Sequence, residues 1–321
     1  MRLLLALTLL ASLGCSKGQN FGIGATQNQY AASVLRNNKV DILWVVDESQ
    51  SMTTRKSTLT AQIPALLDGF DQMRMDYHLA VTTMSLSGTN PTGGKFIGTP
   101  KYLTNSSANV RGEIADRILM DKVGSSAERA MDSVKKVLSP SYLAGEGAGF
   151  LRPDSILVIV VVSDEDDTTA SVTDMKNFFN GIRPKSSNGE QNWFLNYIGS
   201  IPGGTPICYA NEALGTVVFG YKYIDLADYS GGISANVCDT SLALAVSNIR
   251  SRIIQILTDY PLRQIPKIDT ISVSVNGVKI PNNSTNGWTY VPATNVVRFH
   301  GSSIPAADAR VEVNFTPASA S

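Results

Sequence analysis

The chain has 321 residues, of which 43% are hydrophobic, and its 27 basic side chains balance its 27 acidic ones. Because no Lys/Arg block is present to hold phosphates, this composition excludes a nucleic-acid-binding protein. The two histidines, His78 and His300, are too few for a His-rich metal site, and we interpret both as structural or exposed. The length suffices for one large α/β domain and a small additional module.

The first fifteen residues have the pattern of a secretory signal, with one positive charge, a short apolar run and a final cysteine. The run is shorter than the roughly 20 residues that a helix needs to cross a bilayer, which disfavours a permanent span. Cys15 follows Leu13 and Gly14 and so resembles the lipobox of bacterial lipoproteins, although Ser12 stands where they have a large aliphatic residue. We predict acylation of Cys15, with an ordinary signal peptide and an incidental thiol as the alternative.

The predicted location follows from the same resemblance. Ser16 after the cysteine favours sorting to the outer membrane. We therefore expect an exported protein that a lipid anchors to the outer membrane, at the cell surface or, alternatively, on the periplasmic face.

Residues 16–38 are rich in Gly, Ser, Gln and Asn without an apolar period, which indicates a flexible tether. Beyond them, apolar runs alternate with segments whose apolar residues recur at three- and four-residue steps. The runs 41–47 and 155–163 have the pattern of strands buried on both faces of a parallel sheet, and we place 155–163 at its centre. Further predicted strands are 77–84, 193–198, 217–224 and, as a short antiparallel edge, 95–103. The predicted helices are 59–73 (despite Pro64 and Gly69), 110–119, 127–138, 172–182 and 242–256.

This alternation predicts an α/β fold in which a doubly wound, mostly parallel sheet is covered by helices on both faces, over residues 39–260. In such sheets the binding site lies beyond the C-terminal ends of the strands, where Asp47 and Asp164 fall. We expect Asp47 at a solvent-facing strand end.

After Pro261 apolar residues recur at every second position, on both sides of the turn dipeptide Asn276-Gly277. We predict that residues 261–321 form a small all-β module, with its strands inside 267–317, and that it packs against the first domain because a unit this small has little core of its own. The further short strand patterns are 288–291, 296–300 and 309–315.

Two cysteines outside the N-terminal segment, Cys208 and Cys238, form an even pair in a chain directed to an oxidising compartment. We predict a disulfide between them, in a loop that flanks the last strand of the sheet. Two buried free thiols are the alternative.

The residues after the first predicted strand read Asp47-Glu48-Ser49-Gln50-Ser51, so that one carboxylate and two hydroxyls share a short turn. Hard oxygen ligands of this kind suit Mg²⁺, Mn²⁺ or Ca²⁺ and not the metals that prefer soft ligands. On its own the pattern is weak, because a serine at the start of a helix is also an ordinary cap.

Two further loops follow in order: a Gly-hydroxyl turn at Gly124-Ser125, and Asp164 at the end of the central strand. The three loops together resemble the von Willebrand factor A family over about residues 39–257. The resemblance implies the fold of that family and its metal-ion-dependent adhesion site. Residues 41–52 and 150–167 are also similar to a subgroup of bacterial surface lipoproteins, numerous in bacteria that attach to other cells, which share the two-cysteine insert and the C-terminal β segment.

The metal ligands that the resemblance implies are Asp47, Ser49, Ser51, Ser125 and Asp164. The two serines of the first loop are expected to bind directly, Asp47 mainly through water, and Asp164 directly or through water. Ser125 stands where the family has Thr, so it keeps the hydroxyl and loses a methyl. If the position of the family's Thr corresponds to the next residue of this loop, Ser126 takes that role. Mg²⁺ is the expected cation, with Mn²⁺ or Ca²⁺ as alternatives, and one position stays open for an acid of the partner.

Three more acids, Glu165, Asp166 and Asp167, extend the same rim. They have the chemistry to hold a second cation, but a run of carboxylates in a loop is more often solvated. A second metal site therefore stays open as an alternative.

Three functions are compatible with these features. The first is an adhesin or receptor that binds a protein or glycan carboxylate, including one on another cell, and the second is an envelope scaffold that uses the same site to hold a partner protein. The third is a phosphoryl-transfer enzyme with Asp47 as nucleophile. That class needs a second acid where Ser49 stands and a lysine near its third motif, and neither is present in the sequence. The sequence also shows no glycine-rich phosphate loop and no G-x-S-x-G elbow, which are signatures of other enzyme classes. We therefore expect a monomeric binding protein and not an enzyme.

Overall fold

The computed structural model describes residues 39–87, 91–120, 128–186, 189–203, 219–306 and 309–318. The strands of its central sheet are β1 (Lys39–Val46), β2 (Asp76–Thr83), β3 (Leu103–Thr104), β4 (Ile156–Ser163), β5 (Trp193–Gly199) and β6 (Ser234–Asn236). Their order is β3-β2-β1-β4-β5-β6, and β3 pairs antiparallel while the other pairs are parallel. This confirms the predicted doubly wound sheet with its short antiparallel edge.

Helices cover both faces of this sheet. They are α1 (Thr53–Thr60), α2 (Ile63–Gln72), α3 (Val110–Leu119), α4 (Ala130–Val137), α5 (Pro140–Leu143), α6 (Val172–Ile182), α7 (Tyr221–Ser230) and α8 (Ala243–Thr258). Ile42 and Trp44 of β1 enter one core with α1, α2, α3 and α8, while Leu43 and Val45 enter the other with α4, α6 and α7. Because alternate residues of a strand point to opposite faces, a continuous apolar run is what a strand between two cores requires.

Three predicted elements differ from the structure. The predicted helix 59–73 is divided at residues 61–62 into α1 and α2, and Pro64 lies in the first turn of α2, where its missing N–H costs no hydrogen bond. The predicted strand 95–103 shortens to β3. The predicted strand 217–224 is wrong over its described residues, because α7 begins at Tyr221 and buries Tyr223 and Leu226 at helical spacing; residues 217 and 218 lie outside the described part.

The C-terminal region forms two three-stranded antiparallel sheets, which confirms the all-β module. Their strands are β7 (Asp259–Pro261), β8 (Ser272–Val275), β9 (Val278–Ile280), β10 (Gly287–Val291), β11 (Val296–His300) and β12 (Val311–Asn314), in the orders β10-β11-β7 and β12-β8-β9. Asn276 and Gly277 join β8 to β9 with φ of 50° and 79°, the positive values that a type I′ hairpin turn needs.

The module begins where α8 ends. β7 starts at Asp259, two residues before the predicted boundary at 261. The module has its own buried cluster, to which β7 contributes Tyr260 and β10 and β11 contribute Trp288 and Phe299. It also contacts the first domain along α8, and a cleft of about 600 Å³ lies between α8 and β11.

A buried ion pair joins the N-terminal ends of β1 and β4. Asp41 is fully buried, and its carboxylate accepts hydrogen bonds from the backbone N–H of Arg152 at 2.7 Å and from Arg152 Nε at 2.8 Å. Ser155 Oγ donates to the same carboxylate. Burial raises the pKa of Asp41 in spite of these donors. The contacts fix β1 against the segment that leads into β4.

We predict that Asp41→Asn lowers the free energy of unfolding by about 2 kcal/mol or more, because a buried amide NH2 would face an Arg152 N–H donor where a carboxylate oxygen now accepts. Arg152 would also lose one of two acidic partners, the other being Asp76. The matched control is Asp154→Asn. Asp154 pairs with Lys39 at 2.7 Å, but its side chain is 51% exposed, so the loss should stay below about 1 kcal/mol. Urea unfolding of both variants measures the difference, and equal losses would contradict the structural role of Asp41.

Candidate metal site

The two acids that end the predicted strands lie side by side. Asp47 follows β1 and Asp164 follows β4, and these neighbouring strands lead in opposite directions, β1 to β2 and β4 to β5. Where the strand order reverses, a crevice opens beyond the C-terminal ends of the strands. The Asp47 backbone N–H donates to the Val162 carbonyl at 2.9 Å, which holds the two loops together.

Asp47 is buried, contrary to the expected solvent-facing position. The residue is 1% exposed. Its Oδ1 accepts a hydrogen bond from the Ser49 N–H at 2.7 Å, and its Oδ2 accepts one from Ser163 Oγ at 2.9 Å. Burial, together with the charge of Asp164, raises the pKa of Asp47. The carboxylate therefore shapes the loop, and its removal would disturb the site as well as the ligand set.

The hydroxyls of the first loop reach Asp164. Ser49 Oγ lies 2.9 Å from Ser51 Oγ, and Ser51 Oγ donates to Asp164 Oδ1 at 3.3 Å. The Asp164 backbone carbonyl accepts a hydrogen bond from Ser200 Oγ at 2.8 Å, which fixes the turn after β4. The structure thus brings together four of the five predicted metal ligands. The fifth, Ser125, and its alternative Ser126 lie outside the described residues.

The capping interpretation of the first loop fails. Ser49 occupies the cap position of a short 3-10 turn, Gln50–Met52, yet within the described part of the chain its side chain makes no capping hydrogen bond. Its hydroxyl is directed to Ser51 instead. α1 begins at Thr53, directly after the turn, and its cap residue Met52 has no polar side chain to cap the helix. The hydroxyls of the two serines therefore do not cap these two described elements.

The donor set fits a hard divalent cation. Two neutral hydroxyls and a carboxylate converge from neighbouring strand ends, and oxygen is the ligand that Mg²⁺, Mn²⁺ and Ca²⁺ prefer. Among the described residues, no group of three or more His, Cys, Asp or Glu side chains is arranged to hold a metal ion. Any cation at this position would thus depend on the serine hydroxyls.

Two buried acids that the sequence patterns did not single out surround the loop. Glu48 is 3% exposed and accepts hydrogen bonds from the N–H groups of Met84 and Ser85, at 3.2 and 3.0 Å, at the end of β2. Glu128 is 5% exposed, and burial with the charges of nearby acids, Asp47 first among them, raises its pKa to about 9. A cation at the site would lower the repulsion among these acids and so favour release of the Glu128 proton.

The acids of the rim have separate roles. Asp167 is buried, and its two oxygens accept backbone N–H groups of Met131 at 2.8 Å and Ala170 at 2.7 Å, so it anchors the start of α4. Asp166 accepts the N–H of Lys222 at 3.2 Å. Burial and the charges of Asp164 and Asp47 raise the pKa of Glu165. The three predicted rim acids thus have different partners, and Glu165 is the one whose pKa responds to the charges of Asp164 and Asp47.

One basic residue, also missed by the sequence patterns, reaches the site. The Arg55 guanidinium donates to Asp164 Oδ2, and the side chains of this pair are 17% and 8% exposed. Arg55 lies four residues after Ser51, at the start of α1. This short spacing was the sequence signal that could have placed Arg55 near the site. A fixed positive charge therefore borders the candidate ligands.

Cys238 is disulfide-bonded and lies just beyond β6, where its N–H donates to Asn236 Oδ1 at 3.0 Å. Cys208 lies outside the described residues, so the pairing of Cys208 with Cys238 stays a prediction. Cys15 and the tether at 16–38 lie outside them as well.

Comparisons with known proteins leave the family open. No protein-family model matches the chain, and no curated protein matches it. A von Willebrand factor type A structure from Catenulispora acidiphila is 14% identical with a TM-score of 0.38, over 87% of this chain and 58% of its own. Proximal thread matrix protein 1 from the mussel byssus is 12% identical with a TM-score of 0.42, over 71% of this chain and 50% of its own. The chain spans about half the length of these structures, and similarities this distant carry no argument for a shared function.

We predict that, in EDTA, the free energy of unfolding falls as the pH rises from about 5 to 9. Folding raises the pKa of Glu128 from its ordinary 4.5 to about 9, so in this window the folded protein keeps a proton that the unfolded chain has released. Glu128→Gln should flatten this slope and raise stability at pH 8 by at least about 1 kcal/mol. Denaturant unfolding at several pH values checks both effects.

The control for this experiment is Glu146→Gln. Glu146 pairs with Lys101 at 3.1 Å, and its side chain is 62% exposed, so its removal should leave the slope unchanged. A slope that Glu128→Gln leaves intact would contradict the role given to Glu128.

Proposed function

We propose that this protein is a divalent-cation-dependent binding protein of the von Willebrand factor A type, which recognises a carboxylate of its partner. The observation that carries the proposal is the continuous contact from Ser49 Oγ to Ser51 Oγ and on to Asp164 Oδ1, over 2.9 and 3.3 Å. It joins hydroxyls after one strand to a carboxylate after its neighbour, at the point where the strand order reverses. Oxygen atoms gathered in this way support the proposal that they would share one cation.

Each residue has a distinct part in this proposal. Ser49, Ser51 and Ser125 would offer neutral oxygens and Asp164 a charged one, while Asp47 holds the Ser49 loop and would act mainly through water. A cation held mostly by neutral groups keeps its positive character and supplies a Lewis-acidic position for an incoming carboxylate. Mg²⁺ is the favoured ion, and Mn²⁺ or Ca²⁺ also suits these oxygens.

A binding role is better supported than phosphoryl transfer. Both carboxylate oxygens of Asp47 accept hydrogen bonds, from Ser49 N–H and Ser163 Oγ, and the side chain is 1% exposed. Attack by Asp47 on a substrate would require breaking these contacts and opening the loop. We therefore propose a binding protein without catalytic activity of its own.

The proposed setting is the outer membrane of a bacterium. Acylation at Cys15 and the tether at 16–38 would hold the binding domain away from the lipid, as an adhesin that meets a protein or anionic glycan on another cell. An envelope scaffold on the periplasmic face is the alternative. Across the described residues, none of the helices has the length and apolar character to cross a bilayer.

We predict that Ser51→Ala weakens the affinity for Mg²⁺, Mn²⁺ and Ca²⁺ by at least about tenfold, since it removes one proposed ligand from an exposed position and leaves the core intact. Isothermal calorimetry, with acetate present as a carboxylate, measures the effect. Ser57→Ala, which removes an exposed hydroxyl from the neighbouring helix α1, is the matched control and should change nothing. The proposal fails if the wild type binds none of the three ions, or if Ser51→Ala binds them as tightly.

We predict that Cys15→Ala abolishes the incorporation of labelled palmitate and releases the protein from the membrane fraction. Protease treatment of intact cells then separates the two settings, because a surface adhesin is cleaved and a periplasmic scaffold is protected. A wild-type protein that takes up no label would contradict the lipid anchor.

A further inference from the structure

Arg55 places a fixed positive charge at the proposed cation site. Its guanidinium donates to Asp164 Oδ2, while Oδ1 of the same carboxylate accepts the hydroxyl of Ser51 at 3.3 Å. The side chain of Arg55 is 17% exposed, so the charge is partly withdrawn from water. One carboxylate therefore faces Arg55 on one side and the proposed ligand set on the other.

The acidic side chains around the site, and not the helix that carries Arg55, explain its position. Arg55 lies in the first turn of α1 (Thr53–Thr60), where the helix dipole disfavours a positive charge. The acids within electrostatic range of one another at this site are Asp47, Glu48, Glu128, Asp164 and Glu165. Arg55 contacts one member of this group, Asp164, directly. Its positive charge therefore affects the affinity of the group for a cation.

We propose that Arg55 determines the specificity of the site, by opposing the binding of a divalent cation alone and favouring its binding together with a carboxylate. The inference rests on the proposed function and concerns the same site. A cation beside Ser51 and Asp164 would lie close to the guanidinium, and two positive charges in a partly buried position repel each other. A carboxylate that bridges both charges removes this repulsion.

The chemistry of the guanidinium defines the partner. Its planar fork of N–H donors matches the two oxygens of a carboxylate, so the partner group can contact the cation through one oxygen and Arg55 through the other. Cation and carboxylate then raise each other's affinity by the same factor, as linkage requires. The partner class is a protein side chain or sugar that carries a carboxylate, and an uncharged glycan would gain nothing from Arg55.

The test measures Mn²⁺ affinity by calorimetry, with and without acetate, for the whole protein, two variants at Arg55 and one control variant. Arg55→Met should bind Mn²⁺ alone about 3- to 30-fold more tightly than the wild type, and acetate should enhance its Mn²⁺ affinity less than that of the wild type. Arg55→Lys keeps the charge without the fork, so Mn²⁺ alone should bind as in the wild type while the acetate enhancement decreases. Arg310→Met is the control, since Arg310 pairs with Glu312 in the C-terminal module with a 65% exposed side chain.

The outcomes separate this inference from the proposed function. If the wild type binds Mn²⁺ but Arg55→Met binds it equally or more weakly, or shows an undiminished acetate enhancement, the role of Arg55 is overturned and the metal site stands. If the wild type binds no Mn²⁺ with or without acetate, both are overturned. Circular dichroism in EDTA verifies that each variant is folded. If Arg55→Met does not fold, the acetate enhancement measured on Arg55→Lys still decides the role of Arg55.

Discussion

The parallel pairing of β1 with β4 is the constraint on which the candidate site depends. Val46 pairs with Val162, so Asp47 lies next to Ser163, whose hydroxyl donates to it, and Asp164 follows within reach of Ser51. A slip of β1 by one residue would turn its side chains to the wrong faces of the sheet and shift Asp47 and the serines relative to Asp164. The two apolar cores that enclose β1 and β4 hold this register, and in that way the packing of the sheet determines the geometry of the ligands.

The two ends of the same strands differ in electrostatic character. At the N-terminal ends, Asp41 meets the Arg152 guanidinium and the charges largely compensate each other. At the C-terminal ends, several acids gather around Asp47, and the pKa of Glu128 rises to about 9. Burying like charges costs stability. Structural hydrogen bonds offset part of that cost, as where Glu48 binds the end of β2 and Asp167 the start of α4.

Local patterns predicted much of this fold, and long-range contacts account for the rest. The strands around 41–47 and 155–163 could be predicted because a run buried on both faces is visible in the residues themselves, and the ligand loop because its oxygens are close in sequence. Glu128 could not be predicted as a neighbour of the site, since it reaches the site only through packing, whereas the spacing of Arg55 from Ser51 was a local signal. The segment from Tyr221 to Leu226 has residues typical of a strand, and contact of α7 with β5 makes it a helix.

The most direct measurement is anomalous diffraction from a crystal of this protein soaked in Mn²⁺ and acetate. The account predicts one anomalous peak at the C-terminal ends of β1 and β4, within about 2.0 to 2.6 Å of the hydroxyl oxygens of Ser49 and Ser51. It also predicts an acetate oxygen on the ion and the other oxygen toward Arg55. A crystal that binds Mn²⁺ elsewhere, among Glu165 to Asp167 for instance, with nothing at the serines, would contradict the account.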